Sequence, residues 1–229
     1  MVSCHFLIPA AGMGKRMGLA HNKLLVELQG KSILEWTLGA AERSDSVVWI
    51  GVIGHDRDES VILPMLDRLT KPHQWIRGGE TRQESVYNGL QALPAGAKYV
   101  LIHDGARCLI SPELIDRCAQ ELERHPALIC AVPVKDTIKV VQDHCIVATP
   151  DRSRLWSAQT PQGFAVETIV NAHRSAIAQG WQVTDDSALL EKLGIPVTIV
   201  MGEETNIKVT TPQDLIWAEA VLNSYIDRD

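Results

Sequence analysis

The sequence predicts an α/β protein built on a largely parallel sheet. Three observations carry this reading. Short β-branched and apolar runs alternate with amphipathic helical stretches along the chain, the pattern of a sheet covered on both faces. Several of the helical stretches open on capping residues. Finally, 45% of the 229 residues are hydrophobic and 22% charged, ample material for such a core.

A first short strand over 6–8 runs directly into Pro9-Ala10-Ala11-Gly12-Met13-Gly14-Lys15-Arg16-Met17-Gly18. Ser32 and Glu35 form an S-x-x-E capping box that starts a helix ahead of Trp36 and Leu38. Residues 47–53 (VVWIGVI) read as a buried strand, 56–69 as a helix and 74–76 as a short strand. Thr81 and Glu84 make a second capping box, with Val86 and Leu90 on one face of its helix. The strand 99–102 ends in His103-Asp104-Gly105. Ser111 caps a helix whose first position is Pro112, and 128–134 is strand-like.

The alternation breaks between Asp136 and Gln159. DTIKVV, a polar turn at 142–144 and CIVAT read as a hairpin. In an α/β chain such a hairpin commonly projects from the sheet, as an arm for a partner or as a lid. Helices at 166–179 and 187–193, a strand at 197–200 and a last helix started by Thr211, Pro212 and Asp214 complete the order. Leu215, Ala218, Leu222 and Tyr225 share one face of that last helix. No repeat, low-complexity stretch or linker divides the chain. The expectation is one domain over 1–229 with a β-arm around 136–159.

Composition narrows the function classes. With 22 Lys+Arg against 28 Asp+Glu the net charge is −6, the wrong sign for a protein that coats nucleic acid. No apolar run approaches the roughly 18 residues of a membrane span. The N-terminal stretch lacks the charged region of a signal peptide. Five cysteines without a C-x-x-C pair suit reduced thiols, and the expected location is the cytoplasm.

Few side chains stand out for chemistry, and each has an ordinary explanation beside the functional one. Glycines after the first strand let backbone N–H groups approach phosphate oxygens, although a plain strand-to-helix turn accounts for them equally well. Lys15, Arg16 and Lys23 favour a polyphosphate over a solvated basic turn. The loop is not a Walker A motif, because Arg16 stands where Ser or Thr would hold magnesium. Asp104 sits at a strand end, the usual ligand edge of an open α/β sheet, with Arg107 nearby; an Asx turn is the alternative. Lys208 alone reads as a surface lysine. The histidines lack zinc spacing, and no G-x-S-x-G elbow offers a hydrolase nucleophile.

Eight segments together say more. PAAGMGKRM with a lysine shortly after is followed in order by GGETRQESV, IHDGAR, PVKDTIK, PDRSRLW, QTPQGF, TDDSALL and NIKVT. Over essentially the whole chain this set resembles the 2-C-methyl-D-erythritol 4-phosphate cytidylyltransferase family of the non-mevalonate isoprenoid pathway. The resemblance implies a single-domain, Rossmann-like nucleotidyltransferase fold of the nucleotide-diphospho-sugar transferase type. Its sheet is mixed but mostly parallel, and projecting arms embrace the neighbour in a homodimer.

The resemblance also implies roles. Arg16, Lys23 and Lys208 are the cations around the triphosphate and reacting phosphates, and so the catalytic set. Pro9, Ala10, Ala11, Gly12, Gly14, Lys15, Gly79, Glu80 and Ser85 bind the nucleotide, the small residues facing cytosine. Asp104, Arg107, Thr137, Arg152, Thr160 and Thr184 hold methylerythritol phosphate, with Arg107, Thr137 and Arg152 acting from the partner subunit. The chain departs from the family pattern at Glu80 (usually aspartate), Lys15 (commonly arginine, so the bidentate fork is lost) and Cys108 (commonly proline). Asn22 replaces the proline that usually precedes Lys23, which implies a less rigid loop.

The implied reaction is in-line attack of the substrate phosphate on the α-phosphorus of CTP, with pyrophosphate leaving. A phosphate monoester with second pKa near 6 needs no general base, so the cations act by charge. Magnesium is expected on the CTP phosphates, with no protein ligand. The other readings are a cytidylyltransferase for another polyol phosphate such as ribitol 5-phosphate, a sugar-1-phosphate uridylyl- or guanylyltransferase, a catalytically silent nucleotide-binding partner, and a dinucleotide oxidoreductase.

Overall fold

The computed structural model describes residues 2–12 and 21–226, without the side chains of Tyr225 and Ile226. Strand β1 (Cys4–Pro9) is an interior strand of the main sheet. It is followed by a 3-10 turn at Lys23–Leu25 and a small hairpin of β2 (Glu27–Leu28) and β3 (Lys31–Ser32). Then come α1 (Ile33–Arg43), β4 (Val47–Gly54), α2 (Asp56–Leu66), β5 (His73–Arg77), α3 (Arg82–Gln91), β6 (Tyr99–Ile102) and α4 (Pro112–Glu121). The second half holds β7 (Ala127–Pro133), the hairpin β8 (Val140–Gln142) and β9 (Cys145–Ala148), β10 (Trp156–Ala165), α5 (Val166–Gln179), α6 (Ser187–Lys192), β11 (Thr198–Met201) and α7 (Pro212–Ile226).

Seven strands form one sheet in the order β11-β7-β10-β6-β1-β4-β5. All neighbours run parallel except β10, which is antiparallel to both β6 and β7. The mixed, mostly parallel sheet agrees with the expectation. The sequence reading missed β10, and its composition explains why. Gln159, Thr160, Pro161 and Gln162 are polar or lack an N–H, so they do not read as a central strand. The register against β7 shifts between Ala158 and Gln162, and β6 pairs only with Gln162 to Ala165. Pro161 therefore falls outside both ladders and its missing N–H costs no sheet bond.

The period of two along each strand divides the core between the sheet faces. Phe6 and Ile8 of β1 join Ile50, Val52 and Leu101 under α1, α2 and α4, through Leu34, Ile62 and Leu114. Leu7, Val100, Ile102 and Phe164 point the other way, onto Val86 and Leu90 of α3, Ile169 and Ala172 of α5, and Leu189 of α6. On α7, Ala218 and Leu222 are buried and Leu215 packs beside them; the Tyr225 side chain lies outside the described residues.

The Ser32 capping box is complete: the Glu35 N–H donates to Ser32 Oγ at 3.2 Å, and the Ser32 N–H to Glu35 Oε2 at 2.8 Å. The second box is only half formed. Thr81 Oγ1 accepts from the Glu84 N–H at 3.1 Å, but the Glu84 carboxylate takes the N–H of Glu80 instead of Thr81. Between β7 and β10, β8 and β9 form the expected hairpin, with Asp143 and His144 at φ 48° and 64°, as a tight turn requires. Val140, Val141, Ile146 and Val147 are all exposed on it. Trp156 to Ala158, within the segment expected to project, instead pair with β7 in the sheet.

Phe164 is fully buried where β10 crosses beneath α5. Phe164→Ala is expected to cost about 3–5 kcal/mol in urea-unfolding free energy. A loss under about 1 kcal/mol would show that α5 and α6 collapse onto the space without penalty.

Candidate active site

In an open parallel sheet the chain leaves β1 toward neighbours on both sides, and a crevice opens beyond the strand C-termini at that point. Here β1 lies between β4 and β6. A cleft of about 830 Å³ opens there, lined by Pro9 at the end of β1 with Ala11 and Gly12 after it, by Gly54 at the end of β4 and by Gly78 and Gly79 after β5. Asp104 and Gly105 follow β6, and Lys23, Lys208 and Thr210 complete the lining.

The loop after β1 is anchored on its neighbours. The Ala10 N–H donates to the Ile53 carbonyl at 2.6 Å, and Ala10 itself is buried beneath the floor. Ser85, buried on α3, accepts from the Gly79 N–H at 3.0 Å and donates to the Thr81 carbonyl at 2.8 Å. Its hydroxyl thus shapes the Gly78-Gly79-Glu80 turn, and Glu80 projects at the exposed rim. Gly78 is packed closely: a Cβ there would meet Ser85 Oγ at 3.0 Å and the Gly54 carbonyl at 3.2 Å.

Lys23 donates to the Val209 carbonyl at 2.7 Å, beside Lys208. The residue before it, expected to loosen the loop by replacing proline, is instead fully buried and bonded three ways. Asn22 Nδ2 donates to the Ala10 carbonyl at 2.7 Å and to Asp58 Oδ2 at 2.9 Å, while its Oδ1 accepts from the Leu24 N–H at 3.0 Å. These bonds tie the Lys23 turn to the loop after β1.

Asp104 is the most strongly perturbed acid of the cleft. Lys208 Nζ donates to its Oδ2 at 2.5 Å, and Arg82 Nε stands 3.5 Å from its Oδ1. Burial alone pushes this carboxyl up; the Arg82 guanidinium and the Lys208 ammonium overcome it and bring it down to about 2. Its backbone is held separately. The Asp104 N–H donates to Thr160 Oγ1 at 3.0 Å, and Thr160 lies 3.0 Å from His103 Nδ1. His103 Nε2 is 3.1 Å from the Arg107 carbonyl, which only accepts, so Nε2 carries the proton and Nδ1 receives the threonine hydroxyl. Complete burial pushes His103 down to about 4, which keeps the ring neutral.

The sequence-predicted residues divide accordingly. Pro9, Ala11, Gly12, Lys23, Gly79, Glu80, Ser85, Asp104 and Lys208 line the one cleft, and Ala10 lies beneath it. Thr160 is buried behind Asp104. Arg107 donates to the Asn206 and Ala158 carbonyls at 2.7 and 3.2 Å and is not in the lining. Thr184 is exposed, as are Thr137 and Arg152 on either side of the hairpin; none of the three lines the cleft. Gly14, Lys15 and Arg16 lie outside the described residues.

Sequence reasoning passed over Arg82, which lines the cleft between Asp104 and the buried Asp186. The signal was present: Arg82 opens α3, and a cation in a first helical turn opposes the helix dipole. Among the described residues no three His, Cys, Asp or Glu side chains converge as a metal site, and no helix is long and apolar enough to cross a membrane.

Comparison with known proteins gives a single family. The model described as IspD, 2-C-methyl-D-erythritol 4-phosphate cytidylyltransferase, matches residues 4–224. A protein of that name from Acaryochloris marina is 59% identical over 228 residues, 98% of this chain and 96% of its own length. One from Thermosynechococcus vestitus is 58% identical over 95% of this chain and 94% of its own. Among solved structures, the 4-diphosphocytidyl-2C-methyl-D-erythritol synthase of Anaerococcus prevotii superposes with a TM-score of 0.87 at 33% identity, covering 97% of this chain and 99% of its own.

The ion pairs of Asp104 make stability depend on acid. A carboxyl lowered from near 4 to about 2 contributes its full share above the unfolded value, and loses it as pH falls toward the folded one, about 2 kcal/mol in all. Asp104→Asn is therefore expected to flatten the fall of the urea midpoint between pH 5 and pH 3. Equal slopes for the two proteins would show that these pairs do not hold the folded state.

Proposed function

Because the chain belongs to the 2-C-methyl-D-erythritol 4-phosphate cytidylyltransferase family, we propose that this cleft is its active site, with cytosine at Ala11, Gly12 and Gly79. The protein is a nucleotidyltransferase that moves CMP from CTP to 2-C-methyl-D-erythritol 4-phosphate, giving 4-diphosphocytidyl-2-C-methyl-D-erythritol and pyrophosphate. This is a step of isoprenoid precursor synthesis; ribitol 5-phosphate is not favoured as the acceptor. The observation that carries the site assignment is the convergence of Ala11, Gly12, Lys23, Gly79, Ser85, Asp104 and Lys208 at one sheet edge.

The chain's own groups fit the chemistry. A pocket made of loop backbone and small side chains admits a pyrimidine and leaves little room for a purine. The acceptor phosphate is already largely dianionic at neutral pH, so the cleft needs no base. The obstacle is bringing that dianion to a triphosphate, and Lys23, Lys208 and, from the loop after β1, Arg16 offset it by charge. Asp104, held ionised by its two cations, accepts from polyol hydroxyls. On the same reading Glu80, at the cleft rim, is assigned to the base, and the family pattern assigns Lys15 to the phosphates.

Magnesium belongs to this chemistry as a counter-charge to the triphosphate. Each oxygen of Asp104 already faces a cation, Arg82 or Lys208, which disfavours a further positive ion there, so the residues present fit an ion carried by CTP phosphates.

The remaining roles require a second subunit. We propose a homodimer of single-domain subunits in which the exposed apolar hairpin at 140–148 packs on the neighbour. The arm carries Thr137 and Arg152, and the face beside it Arg107, to the partner's acceptor site, while Thr160 and Thr184 serve their own. A net charge of −6 suits small anionic ligands held at a local cationic site and no nucleic acid. The proposed location is the cytoplasm, without a membrane partner.

Pyrophosphate release measured with CTP, methylerythritol phosphate and magnesium is expected to exceed that with UTP or with ribitol 5-phosphate. Equal or faster turnover of either replacement overturns the substrate assignment. For the shared site, Lys23→Ala is expected to lower kcat by roughly 10²-fold or more, and Arg152→Ala also to be nearly inactive. Co-expressed with distinct tags, the two variants are expected to recover to about a quarter of wild-type activity, because half the dimers are mixed and each has one intact site. Verified mixed dimers without recovery would place both residues in one subunit's site, or Arg152 outside it.

A further inference from the structure

Arg82 is placed where its helix does not favour it. It is the first residue of α3, where the helix N-terminus already carries partial positive charge. What holds it there is a pair of carboxylates. Nη1 lies 2.9 Å from Asp186 Oδ2 and Nε lies 3.5 Å from Asp104 Oδ1. Asp186 is 1% exposed. Its Oδ1 faces Nε2 of the equally buried His173 at 3.4 Å, while its Oδ2 faces the Arg82 guanidinium, whose charge is permanent and offsets the burial of the carboxylate. Its backbone is fixed as well: the Asp186 N–H donates to Gln162 Oε1 at 3.0 Å. Arg82 at the start of α3 is thus held by the turn before α6, which Gln162 of β10 fixes in turn.

The consequence lies at Lys208. Its ammonium is 2.5 Å from Asp104 Oδ2, and on the reading above it must turn to the acceptor phosphate during the reaction. Were Lys208 the only cation on Asp104, that turn would leave a largely buried carboxylate uncompensated, and the pair would resist opening. Arg82 supplies a second counter-charge that does not move, since Asp186 anchors it from behind.

We propose that Arg82, anchored by Asp186, is a positioning residue that holds Asp104 in place and so frees Lys208 for the acceptor phosphate. The proposal rests on the acceptor-site reading of Asp104 and Lys208. It assigns a function to the aspartate of the TDDS segment that follows Asp185: Asp186 acts through Arg82, not on the substrate.

The test is steady-state kinetics of the full-length protein with each substrate varied in turn. Arg82→Gln is expected to raise the KM for methylerythritol phosphate about tenfold or more, with the KM for CTP changed less than about threefold. Arg82→Lys is expected to recover part of the loss, because it keeps the charge and loses the fork. Asp186→Asn is expected to weaken acceptor use in the wild-type background and to add little in the Arg82→Gln background, since both act through one contact. Should Asp186→Asn alone not fold, the Arg82→Gln, Asp186→Asn double variant, which leaves no buried unpaired charge, carries the comparison. Acceptor KM unchanged in Arg82→Gln, a parallel rise in the KM for CTP, or independent effects of the two substitutions would each overturn the proposal. A wild-type protein that releases no pyrophosphate from CTP and methylerythritol phosphate would instead overturn the site reading itself.

Discussion

A carboxylate largely withdrawn from water stays ionised only where cations are held beside it, and the cleft is arranged around meeting that condition at Asp104. Lys208 and Arg82 approach its two oxygens from opposite sides. Each cation is then fixed by a different part of the chain: Lys208 by the segment before α7, Arg82 by the start of α3 and by Asp186 ahead of α6. Because opposite charges at this range outweigh the burial penalty, three segments distant in sequence are drawn to one strand end.

The same strand end is fixed a second time by neutral hydrogen bonds. A buried histidine kept uncharged by desolvation can accept on one nitrogen and donate on the other, and His103 does both, linking Thr160 to the Arg107 carbonyl. Thr160 in turn receives the Asp104 N–H. Threonine 160 can do this because β10 runs antiparallel beside β6 and breaks register just there. The strand that departs from the parallel pattern is therefore the one that sets the backbone of the central acid.

Beside Lys23, Asn22 shows how one buried side chain can substitute for the fixed backbone of proline. Proline acts on the local backbone alone, whereas a buried asparagine has one acceptor and two donor hydrogens to distribute. Here they reach Leu24, Ala10 and Asp58, so the lysine turn, the loop after β1 and α2 are joined through a residue with no access to solvent. The hairpin of β8 and β9 is the contrary case: its valines and isoleucine face outward, and its side chains are exposed throughout.

By itself the sequence determined the alternation of strands and helices, because periodicity and capping are local. The Ser32 box, the Ser111–Pro112 start, the strand 99–102 and the 166–179 helix all follow from neighbours within a few residues. Motif order also determined the family and most of the cleft lining, since Pro9, Gly12, Lys23, Gly79, Ser85, Asp104 and Lys208 lie in segments recognisable one by one. Tertiary structure alone decided the rest. Polar, proline-containing β10 is a strand only because two neighbours pair with it on either side of its irregularity. Glu84 abandons the box at Thr81 because the Glu80 N–H lies within reach. Arg82 and Asp186 lie in two of the recognisable segments but 104 residues apart, and nothing local pairs them; they meet beside Asp104 because burial makes each charge seek its opposite across the fold.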